Sequence, residues 1–145
     1  MIIIGCDFHS RFQQIALLDT ETGKVEERRL EHASGEAQAF YAELREPALV
    51  GIESMGYTPW FEELLAEFGH ELVVGDAAKI RAKEPRKQKH DRRDAEHLLN
   101  LLVKGDFPRL WLPSPDFSPR GDVFWGAAGR AGLYRLRKKA ASLSF

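Results

Sequence analysis

The chain has 145 residues, which is enough for one domain with a single hydrophobic core. Its composition, 43% hydrophobic and 30% charged, is typical of a globular protein in water. The single cysteine, Cys6, excludes an intrachain disulfide framework and fits a reducing compartment. No apolar run approaches the roughly 20 residues of a membrane span, and the N-terminus lacks the basic region of a signal peptide. These features predict a cytoplasmic protein without a membrane association.

The net charge of −1 hides a strong asymmetry along the chain. Residues 1–75 carry 5 Lys/Arg and 14 Asp/Glu, a balance of −9, whereas residues 76–145 carry 16 Lys/Arg and 8 Asp/Glu, a balance of +8. A basic half of this kind is typical of proteins that contact nucleic acid, although the two halves could also simply neutralise each other.

Five segments have the β-branched and alternating patterns of strands. They cover residues 2–7, 12–19, 25–30, 48–53 and 71–74. The first three are joined by short connections, which predicts an antiparallel meander. The apolar stripes between and after the later strands predict helices, so the fold class is α/β with a mixed five-stranded sheet flanked by helices.

Helix boundaries follow from capping residues. Ser34 is a predicted N-cap, and Thr58 is another, with Pro59 in the first turn and Gly69 at the end. Residues 76–83 are predicted as a short helix or loop, and 91–104 as a longer helix. The spacing of Trp60 with Leu64 favours a place in the core, although Tyr57 and Trp60 could instead stack on bases.

The pattern weakens after the last of these helices. Residues 110–112 could form a short strand, and three prolines between 113 and 119 indicate a linker. Residues 1–113 are therefore predicted to form the folded domain. Residues 114–145 are predicted to be a linker and a basic tail, partly helical or disordered.

Four acids stand out by position. Asp7 ends the first strand, Glu53 ends the fourth, and Asp91 and Asp94 begin the last helix one turn apart on a shared face. If the first and fourth strands are adjacent and parallel, their ends meet at one edge, where the helix could add its two acids. Four carboxylates around one cavity suit Mg²⁺ or Mn²⁺, and such ions support phosphodiester chemistry.

Each acid also has a simpler explanation. Asp7 could cap the following turn, Glu53 could be a solvated loop acid, and Asp91 and Asp94 could be a helix N-cap and a first-turn acid favoured by the dipole. The pattern of all four together favours the metal site over these alternatives.

A basic segment surrounds the last two acids and predicts contacts with a polyanion. Its candidate nucleic-acid-binding residues are Lys79, Arg81, Lys83, Arg86, Lys87, Lys89, Arg92 and Arg93. His9 and His90 each neighbour a candidate acid and could contact phosphate or transfer protons, or could be merely exposed polar residues.

Several of these motifs resemble those of the DEDD-type insertion-sequence transposases, the group related to the Piv DNA invertase. The resemblance covers roughly residues 2–113. It is carried by Ile4-Gly5-Cys6-Asp7, Gly51-Ile52-Glu53-Ser54-Met55-Gly56, Gly69-His70-Glu71-Leu72 and Lys89-His90-Asp91-Arg92-Arg93-Asp94-Ala95, the last preceded by Pro85-Arg86-Lys87-Gln88.

The resemblance implies a RuvC-like, RNase H-type fold and an acidic tetrad of Asp7, Glu53, Asp91 and Asp94 that binds Mg²⁺ or Mn²⁺. It also implies DNA as the partner, and a structured guide RNA as a second partner in some members. A homo-oligomer is expected. Family members combine this domain with a C-terminal domain that carries a nucleophilic serine.

The sequence departs from the family in two places. His90 stands where a threonine is common, and the match ends near Pro115, after which residues 116–145 look unrelated. A truncated or frameshifted gene is therefore expected, with a catalytic domain that is not competent alone for full transposition. The alternatives are a non-catalytic module that binds nucleic acid or dimerises, and a stand-alone RuvC-like nuclease. A sugar-kinase or actin-like ATPase is disfavoured because no phosphate-binding loop follows Asp7.

Overall fold

A computed structural model of the protein describes residues 1–84 and 91–110, and only the backbone of residues 91–93. The five strands are β1 (Ile2–Phe8), β2 (Phe12–Asp19), β3 (Val25–Glu31), β4 (Ala48–Glu53) and β5 (Glu71–Gly75). The helices are α1 (Glu36–Glu43), α2 (Pro59–Glu67), α3 (Ala77–Ala82) and α4 (Asp91–Lys104), and a 3-10 turn covers Ser54–Gly56. The predicted α/β class with a mixed five-stranded sheet is confirmed.

The spatial order of the strands, β3-β2-β1-β4-β5, differs from their order along the chain. β1 pairs with β2, and β2 with β3, in antiparallel fashion, because the connections between them are short enough for tight turns. β1 pairs with β4, and β4 with β5, in parallel, and each of these connections carries a helix, α1 or α2. The first strand therefore lies in the middle of the sheet.

The two faces of the sheet carry separate cores because side chains alternate along each strand. On one face, Ile4, Cys6 and Ile15 are fully buried together with Tyr41 of α1 and Phe61 of α2. On the other face, α4 covers a smaller cluster, formed by Ile3, Ala16, Ala95 and Leu99. This second face bears on function because α4 is the helix that carries two of the predicted acids.

Capping explains where α2 begins and ends, but not where α1 begins. Thr58 accepts a hydrogen bond from the Phe61 backbone N–H at 3.3 Å, and Gly69 adopts a left-handed φ of 80° just after α2, as predicted. The prediction of Ser34 as the N-cap of α1 is wrong. Gly35 occupies that position with a φ of 79°, and no side chain caps the helix.

The two edges of the sheet differ: one is hydrogen-bonded to a later segment, and the other is a charged strand. Along the β5 edge, the Leu110 backbone N–H donates to Val74 O at 2.7 Å, and the Asp76 N–H donates to Pro108 O at 2.8 Å. A single bridge joins Gly75 and Arg109, while the rest of the strand predicted at 110–112 lies outside the described residues. The opposite edge is β3, whose sequence, VEERRLE, is mostly charged.

Some sequence predictions lie beyond the described part of the chain. The domain boundary at 113 and the tail at 114–145 lie outside it. Within it, no helix combines the length and the apolar character that crossing a bilayer requires.

Candidate metal centre

Asp7 and Glu53 lie at the carboxyl ends of two adjacent parallel strands. Gly5 of β1 is in register with Gly51 of β4, and each acid follows its glycine by two residues. Because side chains alternate along a strand, each acid lies on the same face as its glycine. The two acids therefore share one edge and one face of the sheet, as the sequence predicted for adjacent parallel strands.

The glycines identify this face as the one that α4 covers. A Cβ on Gly5 would overlap the backbone at Ala95 O and Leu99 N, so α4 lies directly against β1. A Cβ on Gly51 would lie 2.7 Å from Leu102 Cδ1. At Gly5 only glycine allows so close an approach, because the overlapping atoms are backbone, and this places α4 over the same face that carries the two acids.

Asp94 shares a ridge of α4 with residues that pack near the carboxyl end of β5. It precedes Leu98 by four residues and Leu101 by seven, which places all three on one ridge of the helix. Leu98 and Leu101 pack against Ile80, which follows the carboxyl end of β5. His97 reaches the same segment, with its Nε2 2.9 Å from Ile80 O. Asp94 itself is half-buried.

Three predicted ligands thus come from three neighbouring elements on one face. Their carboxylate oxygens, however, are not among the sets of three or more described ligand atoms that lie within 4.8 Å of one another. Asp91 is the first residue of α4, but its side chain lies outside the description. The described backbone therefore places Asp7 and Glu53 at one edge of the face that α4 covers, while the three described carboxylates do not form a set of oxygens within 4.8 Å of one another.

Asp7 has a histidine partner. His9 Nε2 lies 2.8 Å from Asp7 Oδ2, and the Asp7 side chain is only 15% exposed. The His9 ring stacks on Phe12 with centroids 4.5 Å apart, and the Arg29 guanidinium lies 3.6 Å from the centroid of the same phenyl ring. This continuous contact holds the imidazole beside the carboxylate, and the auxiliary role of His9 stays a prediction.

Cys6 lies directly before Asp7 but faces the opposite core. Burial raises the pKa of its thiol well above the usual value, and the negative charge of Asp7 raises the pKa further, while a hydrogen bond with Tyr41 acts in the opposite direction. The thiol is therefore protonated at neutral pH. A buried, protonated thiol is suited to neither nucleophilic attack nor metal binding.

Three of the predicted cationic residues lie in the described part. Lys79 and Arg81 of α3 and Lys83 at its end are all exposed. Arg86, Lys87, Lys89 and His90 lie outside the described residues, as do the side chains of Arg92 and Arg93. The α3 cations begin immediately after β5, at the same edge of the sheet as the acids.

A second acidic group, which the sequence did not suggest, is formed by Asp19, Glu21 and Glu46. Asp19 Oδ1 accepts a hydrogen bond from the Glu21 backbone N–H at 2.9 Å, and Glu46 lies 3.5 Å from the N-terminal ammonium of Met1. A turn contact and a terminal ion pair therefore explain two of its members. Glu46 comes from a distant segment, so no local spacing could have indicated the group.

Trp60 also differs from its prediction. It was expected in the core because of its spacing with Leu64, but the ring is 46% exposed. Phe61 occupies the core position in its place and is fully buried.

No family model matches the chain, and a search of curated protein sequences finds no match.

Proposed function

We propose that the chain is the N-terminal, metal-binding catalytic domain of a DEDD-type insertion-sequence transposase with a RuvC-like, RNase H-type fold. The motifs that carry this resemblance include all four acids of the proposed tetrad. The mixed sheet, with its central parallel pair, supports the fold assignment.

One observation carries the proposal. Gly5 and Gly51 let α4 lie against β1 and β4, on the face and near the edge where Asp7 and Glu53 end their strands. The same helix carries Asp94, which is half-buried, and begins with Asp91. A bound cation would offset the negative charge of several carboxylates near one another.

The residues present fit a hard divalent cation. All the candidate donors are carboxylate oxygens, which Mg²⁺ and Mn²⁺ prefer over nitrogen and sulfur ligands. Asp7, Glu53 and Asp94 would hold the ion together with Asp91, and His9 would hold the Asp7 carboxylate in orientation. When bound, such ions activate a nucleophilic oxygen and stabilise the leaving oxygen of a phosphodiester.

The cations beside the acids provide for nucleic-acid binding. Lys79, Arg81 and Lys83 are exposed on the element that follows β5, and the next five cations in the sequence lie between them and Asp94. Lys and Arg bind phosphates without reading sequence, and this binding weakens steeply with salt. DNA is the proposed substrate, and a structured guide RNA is a further partner within the proposed family.

Metal binding provides the first test. Calorimetric titration with Mn²⁺ should show binding to the native chain and a loss of about tenfold or more in Asp7→Asn and Glu53→Gln, since each removes a charged ligand. Asp19→Asn is the matched control, because it removes a carboxylate from the other acidic group. Normal Mn²⁺ affinity in Asp7→Asn, combined with a loss of Mn²⁺ affinity in Asp19→Asn, would place the ion at the Asp19 group and refute the site at Asp7 and Glu53.

Cleavage provides the second test. The purified chain is incubated with branched DNA and Mg²⁺, and nicking is followed on a denaturing gel. Nicking that disappears in Asp7→Asn supports a catalytic domain. Salt-sensitive binding that survives chelation, without nicking under any condition, would instead support the non-catalytic module.

A further inference from the structure

Two of the exposed large hydrophobic side chains of the described residues lie in the segment that follows β4. Met55 is 77% exposed and Trp60 is 46% exposed, and both belong to the segment that follows Glu53. We call Phe8, His32, Met55 and Trp60 the Trp60 platform.

The Trp60 ring is supported from below by other rings. Its centroid lies 5.3 Å from that of His32 in an edge-on arrangement, 6.2 Å from that of Phe8 and 6.3 Å from that of Phe61. Phe8 and His32 are themselves in contact, at 4.8 Å. Pairs with such spacings are favourable, so Trp60 is held at the surface by its neighbours.

The polar atoms of His32 are already used. Gln13 Oε1 accepts a hydrogen bond from the Tyr41 hydroxyl at 2.6 Å and one from Cys6 Sγ at 3.4 Å, so its amide NH₂ group must be the one that faces His32 Nε2, at 3.1 Å. His32 Nε2 therefore accepts, and Nδ1–H donates to Ser10 O at 3.2 Å. The imidazole thus contributes an aromatic surface to the platform, and no free proton donor.

The platform and the acids occupy the same edge of the sheet. Phe8 follows Asp7 on β1, and Met55 comes two residues after Glu53. A Cβ on Gly56 would lie 3.2 Å from Phe8 Cβ, so the 3-10 turn packs against the end of β1. Because Asp7 and Phe8 point to opposite faces, the acids lie on one side of this edge and the platform on the other.

We propose that the Trp60 platform stacks an unpaired base of the nucleic acid whose phosphodiester lies at Asp7 and Glu53. This inference rests on the proposed function and adds to it the substrate class: a strand that is single or locally unpaired at the edge. Stacking on an aromatic side chain contributes about 1–3 kcal/mol per base and tolerates any sequence.

The size and the charge of the surroundings favour a base over a protein partner. Two exposed apolar side chains are far fewer than the roughly 20–30 residues a protein interface uses on each side. The Arg11 side chain is exposed, and Arg11 O accepts the His32 backbone N–H at 2.9 Å, so the backbone of a cationic residue adjoins the platform. The acids of α2, Glu62, Glu63 and Glu67, belong to the helix that carries Trp60 and repel phosphate. A bound strand is therefore expected to pass on the side of Arg11.

A fluorescence titration tests this proposal directly. Trp111→Phe and Trp125→Phe leave Trp60 as the sole tryptophan, and the protein is titrated with an oligonucleotide of twelve thymidines. A second oligonucleotide has the same phosphates but abasic sugars. Stacking should quench Trp60 with the thymidine oligomer and leave its emission nearly unchanged with the abasic one. Equal quenching by both probes, or none, would overturn the proposal.

Binding by variants provides an independent measure. Trp60→Leu should weaken thymidine-oligomer binding by about 5- to 150-fold, the equivalent of one stacked base, and leave binding of the abasic oligomer unchanged. Trp60→Phe keeps a ring and should retain most of the affinity, and Val103→Ala, at another exposed hydrophobic residue, should retain all of it. If Trp60→Leu altered only the sedimentation of the protein, the platform would be a protein contact and the proposal would be wrong.

The two proposals fail in distinguishable ways. Asp7→Asn should weaken Mn²⁺ binding by about tenfold or more and keep the quenching of Trp60, since the two sites use different residues. Loss of Mn²⁺ binding in Asp7→Asn without any stacking would leave the proposed function intact and refute the platform. Stacking without any Mn²⁺ binding by the native chain would refute the metal centre alone.

Discussion

Replacing Gly5 with alanine should displace α4 and weaken metal binding in the same variant. The new Cβ would overlap Ala95 O and Leu99 N, which are backbone atoms and cannot rotate away. The helix must therefore move outward by roughly 1 Å to restore ordinary contact distances. Such overpacking costs about 1–3 kcal/mol.

The residues that α4 buries set an upper limit on the free energy that Gly5→Ala could cost. Releasing the helix would expose Leu98, Leu99 and Leu101, each 6% exposed or less, at a cost of roughly 5–9 kcal/mol in total. Since that is a large part of the stability of a typical domain, about 5–15 kcal/mol, the helix should shift and remain bound. We expect a loss of about 2 kcal/mol and a Tm lower by roughly 10 °C.

The assay combines thermal unfolding, followed by circular dichroism, with Mn²⁺ titration at a temperature where every variant is folded. A shift of roughly 1 Å is large compared with the tolerance of metal–ligand distances, so Gly5→Ala should bind Mn²⁺ at least about tenfold more weakly. Gly51→Ala is the matched control, because its Cβ meets only the flexible end of Leu102. It should lose less stability and keep its Mn²⁺ affinity.

Two results would refute this reasoning. Native stability in Gly5→Ala would mean that α4 does not lie against β1 as described. A lower Tm with unchanged Mn²⁺ affinity would separate α4, and with it Asp94, from the metal centre.

Three further predictions concern the buried polar groups. Burial lowers the pKa of His70 from 6.5, with a smaller opposing effect from its hydrogen bond to Tyr41 O, so the fold should lose stability as the pH falls below about 6.5. In urea unfolding, His70→Ala, which leaves the Ala48 N–H unpaired, should show a weaker pH dependence of stability than the native protein. An unchanged pH dependence would contradict this. Tyr41→Phe removes the donor to Gln13 and should cost about 1–2 kcal/mol in the same assay, whereas a neutral effect would argue against that bond. Because its pKa is raised, Cys6 should react with a thiol reagent at pH 8 only in denaturant, and rapid reaction in the native protein would show that it is accessible.

The sequence predicted the strands and the last helix well because local patterns determine them. Alternation and turn residues located all five strands to within one or two residues, and α4 was predicted at 91–104, where it is found. Thr58 and Pro59 marked the start of α2 because a cap is a local interaction. The positions of Asp7 and Glu53 at strand ends followed from the same patterns.

What the sequence could not predict depends on contacts between distant segments. Spacing on α2 gave no reason to separate Trp60 from Phe61, because which side of a helix is buried depends on what packs there. The role of Gly5 could not be predicted for the same reason, since the need for a glycine there comes from α4, which packs against it from a distant part of the chain. Gln13 looks like an ordinary strand residue, yet it is fully buried and joins three side chains from different elements.

The edges of the sheet limit how copies of this chain could associate. Strand edges with free backbone groups join readily to other strands, and charged side chains along the edge discourage this. β3 presents Glu26, Glu27, Arg28 and Arg29 along one edge, and the segment ending at Leu110 hydrogen-bonds to the other. Extension of the sheet from one copy to the next is therefore disfavoured at both ends. If the protein forms the homo-oligomer expected from its sequence, the subunits should meet through helices or loops, and the five-stranded sheet should remain the unit within each subunit.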